Sequence, residues 1–124
     1  MNNNENQPGT MKNQPGIMKN LENRPGKSGG GFCTSFPSLE RPYIFANFNG
    51  TDHDVTVLTH EAGHAFQGYQ SRKQPVNRYL WPTYEACEIH SMSMEFLTWD
   101  WMHLFFKEDT DKFLFKHIAG SLAF

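Results

Sequence analysis

Hydrophobic and polar residues are distributed along the chain in segments that predict one strand and three helices. Residues 43–48 are mostly β-branched or aromatic and lie between Pro42 and Asn49-Gly50, a pattern typical of a β-strand. From Val55 to about Arg72, apolar residues recur at helical spacing, and Asp52 or Asp54 is the candidate N-cap. A strand followed by a long helix is therefore predicted.

Two further helices are predicted downstream. Thr83 is the candidate N-cap of one, which we expect to run to about Lys107 with one broad apolar band. The members of this band, which we expect to pack in the core, are Ile89, Met92, Phe96, Trp99, Met102 and Phe106. The last helix begins at residues 109–111 and ends near Gly120. The predicted fold is mainly α-helical, with a small β element before the first helix.

The N-terminal residues differ from the rest because they are polar and repeat a Pro-Gly pair. Asn6-Gln7-Pro8-Gly9 recurs as Asn13-Gln14-Pro15-Gly16, and a looser copy follows at residues 22–26. The Pro-Gly pairs exclude a coiled coil and favour a flexible string of turns, either a duplicated leader or an interaction tail. We therefore divide the chain into a leader, residues 1–28, and a globular part, residues 29–124.

Composition and charge limit the classes of partner. With a formal net charge of −2 and no basic patch, we expect neither nucleic acid nor an anionic membrane as a partner. No apolar run reaches the roughly 18 residues that a membrane span requires. Cys33 and Cys87 lie far apart without metal-type spacing, which favours free thiols in the cytoplasm. Because 15% of the residues are aromatic, a partner chain covering exposed apolar faces is a further expectation.

The pentapeptide H-E-x-x-H at residues 60–64 carries the candidate chemistry. On a helix, His60 and His64 lie one turn apart, so both imidazoles can bind one zinc ion. Glu61, beside them, can take a proton from metal-bound water. The motif therefore predicts metal-assisted hydrolysis of an amide bond, although an exposed pair of histidines on a surface helix is the simpler alternative.

A zinc site for catalysis needs a third protein ligand, and the second helix offers candidates. Glu85, Glu88 and Glu95 lie on one side of that helix, among apolar residues where unneutralised acids are costly. Their spacing leaves both Glu85 and Glu88 open as the ligand. The remaining histidines are interpreted as local hydrogen-bonding, cap or surface residues: His53, His90, His103 and His117.

From about residue 26 to residue 124, the chain resembles the oligoendopeptidase F branch of the thimet oligopeptidase family of zinc peptidases. The resemblance is carried by residues 30–33, 45–51, 60–66 and 85–96, including Glu88, Ser91 and Glu95 in the family's register. It implies a zincin-like helical core in a partial catalytic domain, truncated relative to the family. It also implies that Glu88 is the third ligand and that Glu95 orients a ligand histidine, with Glu85 placed behind the ligands as well.

The resemblance further implies a metalloendopeptidase that cleaves internal bonds of short peptides. One zinc ion would activate water, with Glu61 as base and then as acid. The strand at residues 44–48 would be an edge strand that pairs with the peptide backbone. Since family enzymes are several times longer, the alternative is a catalytically incomplete metal-binding fragment that needs a partner chain or its missing flanks.

Overall fold

The computed structural model describes residues 18–123, in which a three-stranded sheet precedes the helices. The strands are β1 (Met18–Glu22), β2 (Phe32–Phe36) and β3 (Arg41–Phe48). The α-helices are α1 (Asp52–Ser71), α2 (Tyr84–Leu97), α3 (His103–Phe106) and α4 (Thr110–Leu122). Single 3-10 turns occupy Pro37–Leu39, Asn77–Tyr79, Trp99–Trp101 and Lys107–Asp109. The predicted fold, mainly α with a small β element before the first helix, is confirmed.

Strand β3 lies in the centre of the sheet. It pairs in parallel with β1 on one side and antiparallel with β2 on the other. Its residues alternate between buried and partly exposed positions, and α1 packs against both β2 and β3. The prediction that this strand is an edge strand is wrong, because both of its hydrogen-bonding sides are already occupied. Within residues 18–123, the free edges belong to β1 and β2.

Strand β1 lies where the sequence predicted flexible turns. Residues 18–22 pair with β3, so the predicted leader is wrong for this segment, and residues 1–17 lie outside the described part of the chain. The Lys27 ammonium links β1 to β3. It donates to the carbonyls of Asn20 and Glu22 in β1, at 3.2 and 2.8 Å, and to that of Ala46 in β3. Long-range pairing and this lysine outweigh the local turn preference of the sequence.

The N-cap of helix α1 precedes both predicted caps, Asp52 by one residue and Asp54 by three. Its N-cap is Thr51, not Asp52 or Asp54. The buried carboxylate of Asp54 accepts hydrogen bonds from the backbone N–H groups of Asn49, Gly50 and Thr51, at 2.9, 2.6 and 3.2 Å. An acidic residue in this position satisfies backbone donors that the helix itself cannot pair and complements the helix dipole.

Helix α2 begins as predicted but ends ten residues early. The Thr83 hydroxyl accepts the Ala86 N–H, which confirms the cap. The helix stops at Leu97 instead of Lys107. Thr98 donates its hydroxyl to the carbonyls of Met94 and Glu95, and a 3-10 turn and a separate short helix follow. Hydrogen bonding of a side chain to the backbone competes with continuation of the helix. The helix therefore ends at Leu97, although apolar residues continue at helical spacing beyond it.

The predicted apolar band of the second helix is only partly buried. Met102 is 2% exposed, whereas Ile89, Met92 and Phe96 are 65%, 44% and 39% exposed. The expectation that the whole band packs in the core is therefore wrong. The core of the described residues instead comprises Ile44, Ala46, Ala65, Met102 and Phe113. Among residues 18–123, no helix combines the length and the apolar character needed to cross a membrane.

Candidate metal centre

Three potential ligands converge between α1 and α2. His60 Nε2 lies 3.2 Å from one carboxylate oxygen of Glu88, and His64 Nε2 lies 3.9 Å from the other. One donor atom from each residue falls within a group no wider than 4.8 Å. The two imidazoles meet edge to face, with centroids 5.0 Å apart. Residue spacing left Glu85 and Glu88 open as the third ligand, and the family resemblance implied Glu88. The structure brings Glu88 to the histidines.

A glycine makes this convergence possible. A Cβ atom at Gly63 would lie 2.6 Å from Ser91 Cα and 2.7 Å from the His90 carbonyl oxygen. Helices α1 and α2 therefore approach so closely that only glycine fits at the crossing. The fully buried Ser91 donates its hydroxyl to the Glu88 carboxylate at 3.1 Å. The same contact region thus brings Glu88 to the histidine pair and orients it.

Behind the histidines, a carboxylate bridges two imidazoles. Glu95 Oε1 lies 2.6 Å from His60 Nδ1, and Glu95 Oε2 lies 2.6 Å from His117 Nε2. Glu95 therefore occupies the position that the resemblance implied for it. Glu85, in contrast, is exposed in the first turn of α2 and makes no hydrogen bond or ion pair within residues 18–123. The structure does not place Glu85 behind the ligands.

Glu61 is a buried carboxylate beside the ligand set. The residue is 8% exposed, and its Oε2 atom has no hydrogen-bond partner among the described residues. Burial raises the pKa of Glu61 above its ordinary value; the proximity of His60 opposes this rise and that of Glu88 adds to it. A carboxylate with a raised pKa and a free oxygen is a stronger base than an exposed one and is suited to general acid–base catalysis.

The donor set fits a zinc ion. Zinc is commonly held by imidazole nitrogens and one carboxylate oxygen, with a further position left for water or substrate. Burial lowers the pKa of His64, and the nearby His60 lowers it further, whereas Glu88 raises it. The neutral imidazole, which has a free lone pair, is the form that binds a metal. Glu88, 53% exposed in its side chain, leaves this side of the group open.

The sequence interpretation missed His117. His53 and His103 are exposed, as expected, but the side chain of His117 is only 10% exposed and lies against Glu95. The available signal was its helical register: His117 follows the buried Phe113 by one turn and so shares the apolar side of α4. A histidine in that position is more often a core residue with its hydrogen bonds satisfied, so the pattern alone does not identify its partner.

Comparison with known proteins identifies the family. The model of peptidase family M3 matches residues 15–121. A structure of PZ peptidase A with an inhibitor is 56% identical, with a TM-score of 0.82, over 85% of this chain and 19% of that one. A structure described as oligoendopeptidase F from Bacillus anthracis str. Ames is 60% identical, with a TM-score of 0.83, over 85% and 19% of the two chains.

A third structure, also described as an oligoendopeptidase F, is 57% identical, with a TM-score of 0.84, over 86% of this chain and 19% of that one. No curated protein matches the chain. The chain thus spans about a fifth of the length of these solved structures, and its matched part includes every residue of the candidate metal centre. From the family match and the identities of 56–60%, we conclude that the chain belongs to peptidase family M3.

Proposed function

We propose that this chain provides the metal-binding and proton-transfer core of a zinc-dependent endopeptidase that cleaves internal bonds of short peptides. The observation that carries the proposal is the convergence of His60, His64 and Glu88 beside a buried Glu61 with one unpartnered oxygen. Membership of a peptidase family favours peptide hydrolysis over other metal-assisted reactions. The similar structures described as oligoendopeptidase F favour short peptides as substrates.

In this proposal, His60, His64 and Glu88 hold the ion. When bound, zinc supplies a Lewis acid that polarises the scissile carbonyl and acidifies water in its open position. Glu61 takes the proton from the attacking water and then delivers it to the leaving amine. Ser91 keeps the Glu88 carboxylate directed at the histidines through its hydroxyl. The cytoplasmic location remains a proposal that rests on the free thiols of Cys33 and Cys87.

The decisive experiment measures zinc content and hydrolysis of an internally quenched fluorescent peptide. We expect one zinc ion per chain and a loss of about 10²–10⁴-fold in hydrolysis for Glu61→Gln, because general acid–base catalysis contributes on that scale. Zinc content should be unchanged in this variant. Glu85→Gln is the matched control, since this exposed carboxylate on α2 makes no polar contact in the described residues. A parent protein without zinc, or an active Glu61→Gln variant, overturns the proposal.

The second candidate function is a metal-binding fragment that needs further polypeptide for catalysis. It is favoured by the large apolar side chains left in solvent on α2 and α4, such as Leu97, Phe115 and Leu122, which are 68%, 77% and 81% exposed. It is also favoured by the one-fifth coverage of the similar structures. Stoichiometric zinc without peptide hydrolysis in the parent would support this candidate over an active enzyme.

A further inference from the structure

A line of four side chains leads from the turn that follows α2 to the candidate metal centre. Trp99 Nε1 lies 3.2 Å from His117 Nδ1, and His117 Nε2 lies 2.6 Å from Glu95 Oε2. The other oxygen of Glu95 lies 2.6 Å from His60 Nδ1. The His117 and Glu95 side chains are only 10% and 12% exposed. The function proposed above assigns no role to Trp99 or His117.

The direction of each hydrogen bond in this line follows from the chemistry of its first member. An indole N–H can only donate, so His117 Nδ1 must accept. The His117 proton is then on Nε2, where it is donated to Glu95. Because a carboxylate accepts at both oxygens, His60 donates from Nδ1. The lone pair of His60 is left on Nε2, the nitrogen that faces Glu88.

We infer that His117 is a positioning residue for the metal centre: with its tautomer fixed by Trp99, it holds Glu95 so that His60 presents Nε2 to the ion. The inference rests on the proposed zinc-dependent function. Glu95 has two polar partners, one on each oxygen, and so is restrained both in its rotation and in its distance from His60. Carboxylates that accept the second N–H of a ligand histidine fix its orientation and raise its basicity.

Aromatic packing keeps His117 in place. Its ring lies parallel to Phe113, with centroids 5.9 Å apart and planes inclined by 7°. Phe96 and Trp99 contact the ring from other directions, with centroids 5.1 and 5.7 Å away. The imidazole is therefore held in place by packing against three aromatic rings as well as by its two hydrogen bonds. Helix α4 thereby contributes to a metal centre whose ligands all come from α1 and α2.

The simpler explanation is that His117 is a core histidine whose hydrogen bonds happen to be satisfied by Glu95 and Trp99. Both explanations predict that replacing His117 lowers stability. Only the positioning role predicts that replacement weakens zinc binding beyond the effect of an equally destabilising change elsewhere in the same aromatic cluster. The measured quantity must therefore be zinc affinity, with stability determined in parallel.

Zinc affinity is measured with Zn²⁺ alone, by competition with a chromophoric chelator, on the full chain. His117→Phe keeps an aromatic ring but removes the donor to Glu95, and we expect affinity to fall about 10–100-fold. His117→Gln retains an N–H donor of similar reach and should recover part of that loss. Phe106→Leu is the matched control, because Phe106 stacks on Phe113 in the same cluster with centroids 4.1 Å apart but does not touch Glu95. It should lose stability and keep the parental zinc affinity.

Failure of this inference is distinct from failure of the proposed function. His64→Ala removes a proposed ligand, so zinc affinity unchanged in that variant would overturn the metal centre itself. Zinc affinity lost in His64→Ala but unchanged in a folded His117→Phe variant would overturn only the positioning role. Equal losses in His117→Phe and Phe106→Leu would overturn it as well.

A measurement on the unaltered, metal-free protein can overturn the inference even if His117→Phe does not fold. The ¹⁵N chemical shifts of the imidazole nitrogens report which nitrogen of each neutral histidine carries the proton. We expect the proton on Nε2 of His117 and on Nδ1 of His60. A proton on Nδ1 of His117 would be incompatible with the Trp99 donor and would overturn the inference.

Discussion

At the scale of single residues, Gly63 controls the geometry of the candidate metal centre. Backbone atoms of α2, not flexible side-chain ends, occupy the space where a Cβ atom would be placed, so the neighbouring helix cannot yield locally. The same crossing carries Glu88 toward His60 and His64. An intrinsic cost of roughly 1 kcal/mol for glycine within a helix is offset by this close approach.

We predict that Gly63→Ala lowers the free energy of unfolding by about 1–3 kcal/mol, the usual cost of overpacking. It should also weaken zinc binding, because separating the helices moves Glu88 from the histidines. Gly120 on α4 is the matched control: nothing lies within 4 Å of a Cβ there, so Gly120→Ala should stabilise by about 0.4–1 kcal/mol. Urea unfolding and zinc titration of both variants provide the test. Parental stability and affinity in Gly63→Ala would contradict the close-packing argument.

Cys33 is a thiol kept uncharged beside the Glu61 carboxylate. Burial raises its pKa to about 12, the negative charge of Glu61 adds to this rise, and a hydrogen bond from the Tyr43 backbone opposes it. Because the folded state holds this proton more tightly than the unfolded state, Cys33 makes stability fall as the pH rises from the ordinary thiol value of 9.0 toward 12. Below that range it contributes no pH dependence.

We predict that iodoacetamide alkylates Cys33 in the folded protein about a thousandfold more slowly at pH 8 than it alkylates an ordinary thiol, since only the thiolate reacts. Mass spectrometry of peptides after timed quenching measures the rate. The same reaction in urea is the control, because unfolding should restore ordinary reactivity. Fast labelling of Cys33 without denaturant would show that its thiol is accessible and that its pKa is not raised.

The residues of the centre differ in how far the sequence could predict them. His60, Glu61 and His64 form a local motif whose geometry follows from helical spacing alone. Choosing Glu88 over Glu85 required either family resemblance or the three-dimensional approach of α2. The contact of His117 with Glu95 could not be predicted, because it depends on the turn at residues 98–102. Apolar residues continue at helical spacing through that turn, so the sequence pattern predicts one unbroken helix there.

At the scale of elements, the start of α1 depends on one of two neighbouring carboxylates. Asp54 is buried and accepts three backbone N–H groups, whereas Asp52 is partly exposed and pairs with the exposed Lys116. The apolar pattern predicted this helix and both acids as candidate caps. Their roles differ because Asp54 alone points back over the preceding loop, which residue spacing does not reveal.

We predict that Asp54→Ala lowers the free energy of unfolding by about 1.5–3 kcal/mol, because hydrogen bonds to a buried charged group are lost. Asp52→Ala, which removes a surface ion pair on the same turn, should cost less than about 1 kcal/mol. Chemical denaturation of the two variants under identical conditions makes the comparison. Equal losses would mean that charge near the helix terminus, and not the three specific hydrogen bonds, stabilises α1.

The sheet shows what local patterns omit. Strand β3 was predictable from its composition, but its central position was not, since pairing partners are set by long-range contacts. Strand β1 lies in a segment whose prolines and glycines favour turns, and it is stabilised by pairing with β3 and by Lys27. A peptide that pairs with this sheet would have to use β1 or β2 among the described strands.

At the scale of the whole molecule, the folded chain leaves much of its apolar surface in water. The exposed large side chains on the helices include Phe66, Tyr69, Tyr84, Ile89, Leu97, Leu104, Phe105, Phe115, Ile118 and Leu122. Large exposed apolar patches on proteins commonly mark surfaces that associate with other polypeptide. The expectation of a partner chain remains a proposal, and the oligomeric state of the purified protein tests it.

We predict that the parent chain self-associates with rising concentration, as measured by sedimentation velocity, and that Phe115→Glu combined with Leu122→Glu shifts it toward the monomer. Phe115 and Leu122 lie two turns apart on α4 and are 77% and 81% exposed, so folding of the monomer does not require them. Each contributes roughly 1.5–3 kcal/mol when buried against a second molecule.

The control for this pair is Gln74→Glu, which adds a charge at an exposed position outside α4 without removing a large apolar side chain. It should associate like the parent. The double variant must also retain the parental zinc affinity, because neither position contacts the Trp99–His117–Glu95–His60 line. If the parent remains monomeric at every concentration, its exposed apolar side chains do not drive association. The incomplete-fragment candidate would then lose its main physical support.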